Sequence, residues 1–169
     1  MIRGCYPGSF DPLTIAHLAI ADAARRHCGL DRLDLLLSQV TLGKEDTGAP
    51  TARERAEALA GVIAERPWLE VVVTPHRLLV DIAEGYDWLV LGADKWTQVA
   101  DPRWYGDSTA ARDDAVARLP RIAFAARPGH GVPPHATLLD LGDDAPLLAE
   151  VSSTAVRAGR LEWRAPGTA

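Results

Sequence analysis

An open, mostly parallel, Rossmann-like α/β sheet of five or six strands with helices on both faces is the fold this sequence predicts. Three observations carry the prediction. Short apolar runs that suit buried strands alternate with segments of helical periodicity along nearly the whole chain. Turn and cap residues fall at the junctions. Hydrophobic residues make up 47% of the 169 residues, enough for one sizeable core in a single domain. Strands alternating with helices require right-handed crossovers, and such sheets bind ligands outside the carboxyl ends of the strands, where the strand order reverses.

Each element has its own signal. Ile2 to Tyr6 reads as the first strand, and a helix follows from Ile15 to His27 with Leu18, Ala21 and Ala24 at helical spacing. Arg32 to Ser38 holds the run Leu35-Leu36-Leu37 of a strand buried on both faces. Thr41 to Pro50, with its Gly and Pro, is a loop. Thr51 caps a helix that runs through Arg55, Ala58 and Val62 to Glu65, and Pro67 cannot continue it. Glu70 to Val73 is a strand, Leu78 to Glu84 a short helix, and Trp88 to Leu91 a strand ending at Gly92-Ala93-Asp94. From Trp96 through Asp101-Pro102, Trp104 and Gly106 the pattern is irregular. A helix over Ser108 to Leu119, a strand over Arg121 to Ala125 and a loop from Arg127 to Pro134 come next. A short strand over Thr137 to Leu141 and a helix from Ser153 or Thr154 complete the chain. One domain is expected over 1–164, with 165–169 a frayed C-terminal tail.

Bulk properties narrow the function. A formal net charge of -5 speaks against a general nucleic-acid binder, whose affinity comes from many Lys and Arg contacts to phosphate. Cys5 and Cys28 are too few and too separated for a disulfide framework or a thiolate metal site. His130 and His135 flank Gly-Val-Pro-Pro without metal-ligand spacing, so no metal held by protein side chains is expected. Charged or polar residues interrupt every apolar run before the roughly 18 residues of a membrane span. Met1-Ile2-Arg3-Gly4 leads straight into the first strand without a signal-type apolar core, so a cytoplasmic protein acting on a small ligand is expected.

The chemistry concentrates in two stretches. Tyr6-Pro7-Gly8-Ser9-Phe10-Asp11-Pro12-Leu13-Thr14-Ile15-Ala16-His17 runs from a strand through a sharp turn into a helix, whose first N–H groups attract anions. Val151-Ser152-Ser153-Thr154-Ala155-Val156-Arg157 offers a second hydroxyl-rich helix start, with a cation about one turn later. Two such ends suit a polyphosphate. Thr14 and Ser152 also serve as ordinary N-caps, and capping and phosphate binding draw on the same N–H groups.

With Lys44 downstream, these motifs resemble the nucleotidyltransferase superfamily that carries the HxGH and ISSTxxR signatures. Pro7-Gly8-Ser9-Phe10-Asp11-Pro12, Thr14 in place of the first His, Thr51 to Arg55, and Leu78-Leu79-Val80-Asp81 are similar to pantetheine-phosphate adenylyltransferases. Gly92-Ala93-Asp94, Trp104, Arg127-Pro128-Gly129 and Ser152-Ser153-Thr154-x-x-Arg157 are similar to nicotinate- or nicotinamide-mononucleotide adenylyltransferases. The chain departs from both patterns. Ala16 replaces the Gly of the first signature, Leu91-Gly92-Ala93-Asp94 replaces an arginine-bearing strand end, and no Tyr-Thr pair lies between Val73 and Leu78.

The resemblance implies in-line attack by an acceptor phosphate on the α-phosphate of a nucleoside triphosphate, with release of pyrophosphate and no covalent enzyme intermediate. It implies ATP, with CTP left open, and a small phosphomonoester: nicotinate or nicotinamide mononucleotide first, phosphopantetheine second. Mg²⁺ is expected mainly on the triphosphate oxygens, and a homo-oligomer by analogy alone. His17 would contact the α-phosphate and leaving oxygen, Thr14 that phosphate or the attacking group, and Lys44 the acceptor phosphate. Gly8, Ser9, Phe10, Gly92 and Asp94 would contribute to the nucleotide site, while Ser152, Ser153 and Thr154 hold the β- and γ-phosphates with Arg157 as counter-charge. Arg55, Trp96 and Trp104 would serve the acceptor. Plain alternatives are a solvated loop lysine for Lys44, a solvated helix face for Arg55, and loop packing for the two tryptophans. A non-catalytic nucleotide sensor is the alternative of another class, since a fold alone does not establish turnover. A flavin electron-transfer domain leaves Thr14-x-x-His17 unexplained.

Overall fold

A computed structural model describes residues 1–39 and 48–169. Six strands, β1 (Arg3–Pro7), β2 (Arg32–Ser38), β3 (Leu69–Thr74), β4 (Trp88–Gly92), β5 (Arg121–Ala125) and β6 (Thr137–Leu138), form one sheet in the order β3-β2-β1-β4-β5-β6. Every neighbouring pair is parallel. The expected open parallel sheet is therefore present with six strands. Its order reverses between β1 and β4, which places the natural ligand crevice at the carboxyl ends of those two strands.

The helices are α1 (Ile15–Cys28), α2 (Ala52–Ala58), α3 (Ala60–Ala64), α4 (Leu79–Ile82), α5 (Ala93–Ala100), α6 (Thr109–Ala117), α7 (Ala145–Leu148) and α8 (Ser153–Arg157). Successive strand side chains point to opposite faces, so the apolar runs build two layers. Tyr6, Leu33, Leu35, Leu37 and Val90 pack with Leu18, Ala21 and Ala24 of α1, with Leu59, and with Val62 of α3. Cys5, Leu36, Leu89, Leu91 and Phe124 pack with Leu79 and Ile82 of α4 and Val99 of α5. Near the amino ends of β1 and β2, Asp34 is fully buried. It accepts from Arg32 Nε at 2.6 Å, Arg3 Nη2 at 3.1 Å and the Tyr86 hydroxyl at 2.7 Å. A buried carboxylate is tolerable because it is paired and hydrogen-bonded in this way.

Several boundaries differ from expectation: the strand expected over Thr137 to Leu141 is only Thr137–Leu138, the short helix expected over Leu78 to Glu84 is Leu79–Ile82, and α7 was not expected. The helix predicted from Thr51 to Glu65 breaks at the fully buried Leu59, whose N–H bonds to Ala56 three residues back, tightening the turn. The irregular stretch after Asp94 contains α5 and a 3₁₀ turn at Pro102–Tyr105. The frayed tail is also corrected. Ala165 is buried, its N–H bonds to the Leu13 carbonyl at 2.9 Å, and Arg164 bridges Thr14 in antiparallel fashion. Ala169 N–H reaches the Ala58 carbonyl at 3.0 Å, and Gly61 lies so close to Gly167 that a Cβ there would collide with the Gly167 carbonyl.

Candidate active site

β1 ends in the turn that opens the site. Gly8 donates its N–H to the Leu36 carbonyl at 3.1 Å, and the Phe10 ring lies over it. A Cβ on Gly8 would stand 2.7 Å from that ring, so the close approach requires glycine. Phe10 itself adopts φ 46°, a left-handed conformation that non-glycine residues seldom hold outside functional turns. Its ring meets Tyr6 edge-on at 5.4 Å and His17 edge-on at 5.1 Å, and Tyr6 lies tilted against His17 at 6.1 Å, so two aromatic rings pack on the imidazole.

Thr14 caps α1 through a reciprocal capping box. Its hydroxyl accepts from His17 N–H at 3.3 Å, and its own N–H donates to His17 Nδ1 at 3.0 Å. A backbone N–H only donates, so Nδ1 is an acceptor and the ring proton belongs on Nε2. Enclosure among apolar neighbours pushes the His17 pKa down from 6.5 to about 4, so the ring is a neutral donor at pH 7. Thr14 is buried, and its hydroxyl, 2.9 Å from Nδ1, is taken up by the cap. The sequence assigned it to phosphate or acceptor binding; in the structure it holds His17.

The second helix start comes to the same place. Ser152 caps α8 by accepting from Ala155 N–H at 3.1 Å. The Ser153 hydroxyl donates to the Pro12 carbonyl at 2.7 Å, and Arg157 donates to the Asp11 carbonyl and to Thr154 Oγ1. Ala16, whose methyl replaces a glycine hydrogen, is buried in a cluster with Leu148, Val151, Val156 and Trp163 that binds α1 to the C-terminal segment. These contacts leave a cleft of about 310 Å³ whose walls include Gly8, His17, Gly92, Asp94, Ser152 and Arg157. Beside it a smaller apolar slot of about 50 Å³ lies between β2, α4 and Trp104. Ser9 and Lys95 line both.

A family comparison matches the cytidylyltransferase-like model to residues 5–159, most of the chain. The chain belongs to the cytidylyltransferase-like family. Among similar proteins, a probable nicotinate-nucleotide adenylyltransferase of Gloeobacter violaceus is 31% identical over 189 residues, covering 96% of this chain and 87% of its own. Another of that description from Salinibacter ruber is 29% identical over 180 residues, covering 97% and 88%. A phosphopantetheine adenylyltransferase of Rhizorhabdus wittichii is 37% identical over 85 residues, half of this chain and 48% of its own. The protein is thus a nucleotidyltransferase of the HxGH superfamily, and both branches whose motifs it mixes are among its relatives.

For this nucleotidyltransferase the remaining sequence candidates divide. Ser9, Phe10, Gly92, Asp94, Ser152, Ser153, Thr154 and Arg157 gather with His17 on the large cleft. Trp104 lines the small slot, whereas the partly buried Trp96 packs against the core cluster that holds Val99 and Leu91 and lines neither cavity, in keeping with the packing alternative rather than with acceptor binding. Arg55 is buried beneath the turn, which corrects the reading of it as a solvated helix face, and it is not among the residues that line the cleft or the slot. Lys44 lies outside the described residues. Two cations on the cleft had been given no site role, although Arg127 stands in one of the motifs quoted above. Arg127 donates to Asp94 Oδ2 at 3.0 Å, and Lys95 donates to Gln98 at 3.1 Å. A cation just after a strand's carboxyl end was the available signal for each.

Proposed function

We propose that this nucleotidyltransferase moves AMP from ATP to the phosphate of a small acceptor, with nicotinate or nicotinamide mononucleotide the first acceptor to test. The observation that carries the reading is the convergence of α1, with its Nε2-protonated His17, and the Ser152–Arg157 segment on one cleft at the sheet's switch point. Attack of one phosphate on another is opposed by charge repulsion, so fixed donors and cations aimed at the transferring group lower the barrier. His17 Nε2–H is the donor for the α-phosphate and the leaving oxygen, worth about 2.7 to 4 kcal/mol in comparable sites. Ser152, Ser153 and Thr154 take the β- and γ-phosphates, and Arg157 exchanges its Asp11 contact for them. The acceptor enters from the side of the small slot, where Trp104 offers an aromatic face.

Mg²⁺ fits this arrangement as a companion of the triphosphate. Among the described residues no three His, Cys, Asp or Glu gather into a cage, and Mg²⁺ favours phosphate and water with few protein oxygens. Bound there, it would neutralise part of the triphosphate charge. One observation favours phosphopantetheine as second acceptor: Leu36, Leu78, Leu79 and Ile82 make the slot apolar, which suits a flexible aliphatic arm.

The test is pyrophosphate release from ATP and CTP with a panel of phosphomonoesters, in wild type and His17→Ala. Turnover with a mononucleotide acceptor and a loss of about 10² to 10³-fold in kcat for the alanine variant are expected. Full turnover by His17→Ala overturns the assignment. Tight ATP binding with no product from any acceptor would favour a sensor.

A further inference from the structure

Arg55 presents an unusual arrangement. Its residue is only 8% exposed, and its Nε is buried without a hydrogen-bond partner. No carboxylate among the described residues pairs with it; Asp11 acts on it only through space. Burying a guanidinium without a paired anion is costly, and an apolar side chain of similar size is often the more stable choice at such a place. What the guanidinium does make is a bridge. Nη1 donates to the Ser9 carbonyl at 2.7 Å and Nη2 to the Ser38 carbonyl at 3.3 Å. Ser9 belongs to the turn after β1, and Ser38 closes β2, so one planar fork spans the carboxyl ends of two neighbouring strands. Both carbonyls belong to residues that line the small slot, and Ser9 also lines the large cleft.

We propose that Arg55 is a positioning residue for phosphoryl chemistry: its fork locks the Gly8–Phe10 turn against the end of β2, directly beneath the residue that lines both the cleft and the slot. This rests on the transfer reaction proposed above. A carbonyl held from below fixes its peptide plane, and with it the direction of the next N–H toward the cleft. The Ser9 carbonyl belongs to the peptide whose N–H is that of Phe10, so the fork also steadies the ring that packs against His17. A lysine keeps the charge but cannot bridge two carbonyls with a planar fork.

The experiment compares wild type, Arg55→Lys and Arg55→Met by melting temperature, by hydrogen exchange of the peptide over 7–13, and by steady-state kinetics with ATP and the best acceptor. Met is expected to melt within about 5 °C of wild type, because the loss of two hydrogen bonds is offset by removal of a buried charge. Exchange over 7–13 should quicken about tenfold or more, while peptides in β4 and β5 stay as in wild type. In turnover, kcat should fall about 10²-fold with the KM values for both substrates within about threefold, as a small misplacement of the reacting groups does. Lys should fall between the two, restoring part of kcat and little of the protection. Unchanged exchange over 7–13 in both variants would overturn the proposal. So would a rise in acceptor KM at constant kcat, which marks a direct phosphate ligand. A wild type without turnover would refute the transfer reaction alone, and the exchange comparison would still decide the role of Arg55. If Met does not fold, the Lys variant carries the same comparison.

Discussion

The state of a single imidazole sets the chemistry at the smallest scale. Thr14 N–H occupies His17 Nδ1, so the ring presents Nε2–H, and burial keeps it neutral. A neutral donor can approach a leaving oxygen and remain bound to its cap, whereas a proton on Nδ1 would face the Thr14 N–H. Since the folded pKa, about 4, lies below the ordinary 6.5, the unfolded chain binds the extra proton between those values. The stabilising contribution of the neutral ring is therefore full above pH 6.5 and is lost as pH falls toward 4. An NMR titration of the free protein should show the His17 ring signals steady through pH 6.5, with a midpoint near 4. A midpoint near 6.5 would refute the enclosed, capped imidazole. His17 itself was legible in the sequence, because Thr-x-x-His after a Gly-Asp-Pro turn is a local pattern. The burial of Arg55 was not. Its carbonyl partners lie 46 and 17 residues away, and backbone acceptors leave no residue-type signature.

At the scale of elements, the C-terminal strap does more than end the chain. Ala165 N–H bonds to Leu13 and Arg164 pairs with Thr14, so the segment grips the turn that caps α1, while Ala169 reaches α2. Deleting Ala165–Ala169 should lower the melting temperature by about 5 °C, from two lost main-chain hydrogen bonds and one unburied alanine. It should also slow turnover by loosening the cap. A melting temperature equal to that of the full chain would show that the strap contributes nothing. No sequence pattern revealed this strap, because small residues such as Ala165 and Gly167 carry no periodicity and matter only through their tertiary partners. The helix α5 was hidden for a related reason. It starts at Gly92 without a side-chain cap, and its one clue was the three-residue spacing of Ala93, Trp96 and Val99. Strands β2 and β5, by contrast, were placed residue for residue, since their apolar runs are bounded by charged or turn residues.

Across the whole molecule, the two ends of the sheet have different tasks. At the amino ends of β1 and β2 the Arg3, Arg32 and Tyr86 donors saturate Asp34, so that region is closed. At the carboxyl ends, donors face an open cleft: Arg127 and Arg157 hold acidic or carbonyl partners that a phosphate could replace. Strand alternation in the sequence foretold the sheet, and with it the strand ends where the cleft opens. It left open whether Trp96 packs against the core and could not foretell the pairing of Arg127 with Asp94, which depend on how loops settle over the strand ends. The central claim is that α1 and the Ser152–Arg157 segment grip one triphosphate between them. A crystal structure with a non-hydrolysable ATP analogue tests it most directly. The α-phosphate should lie within hydrogen-bond reach of His17 Nε2, with the β- and γ-phosphates on Ser152, Ser153, Thr154 and Arg157; a triphosphate bound away from either helix start would contradict the account.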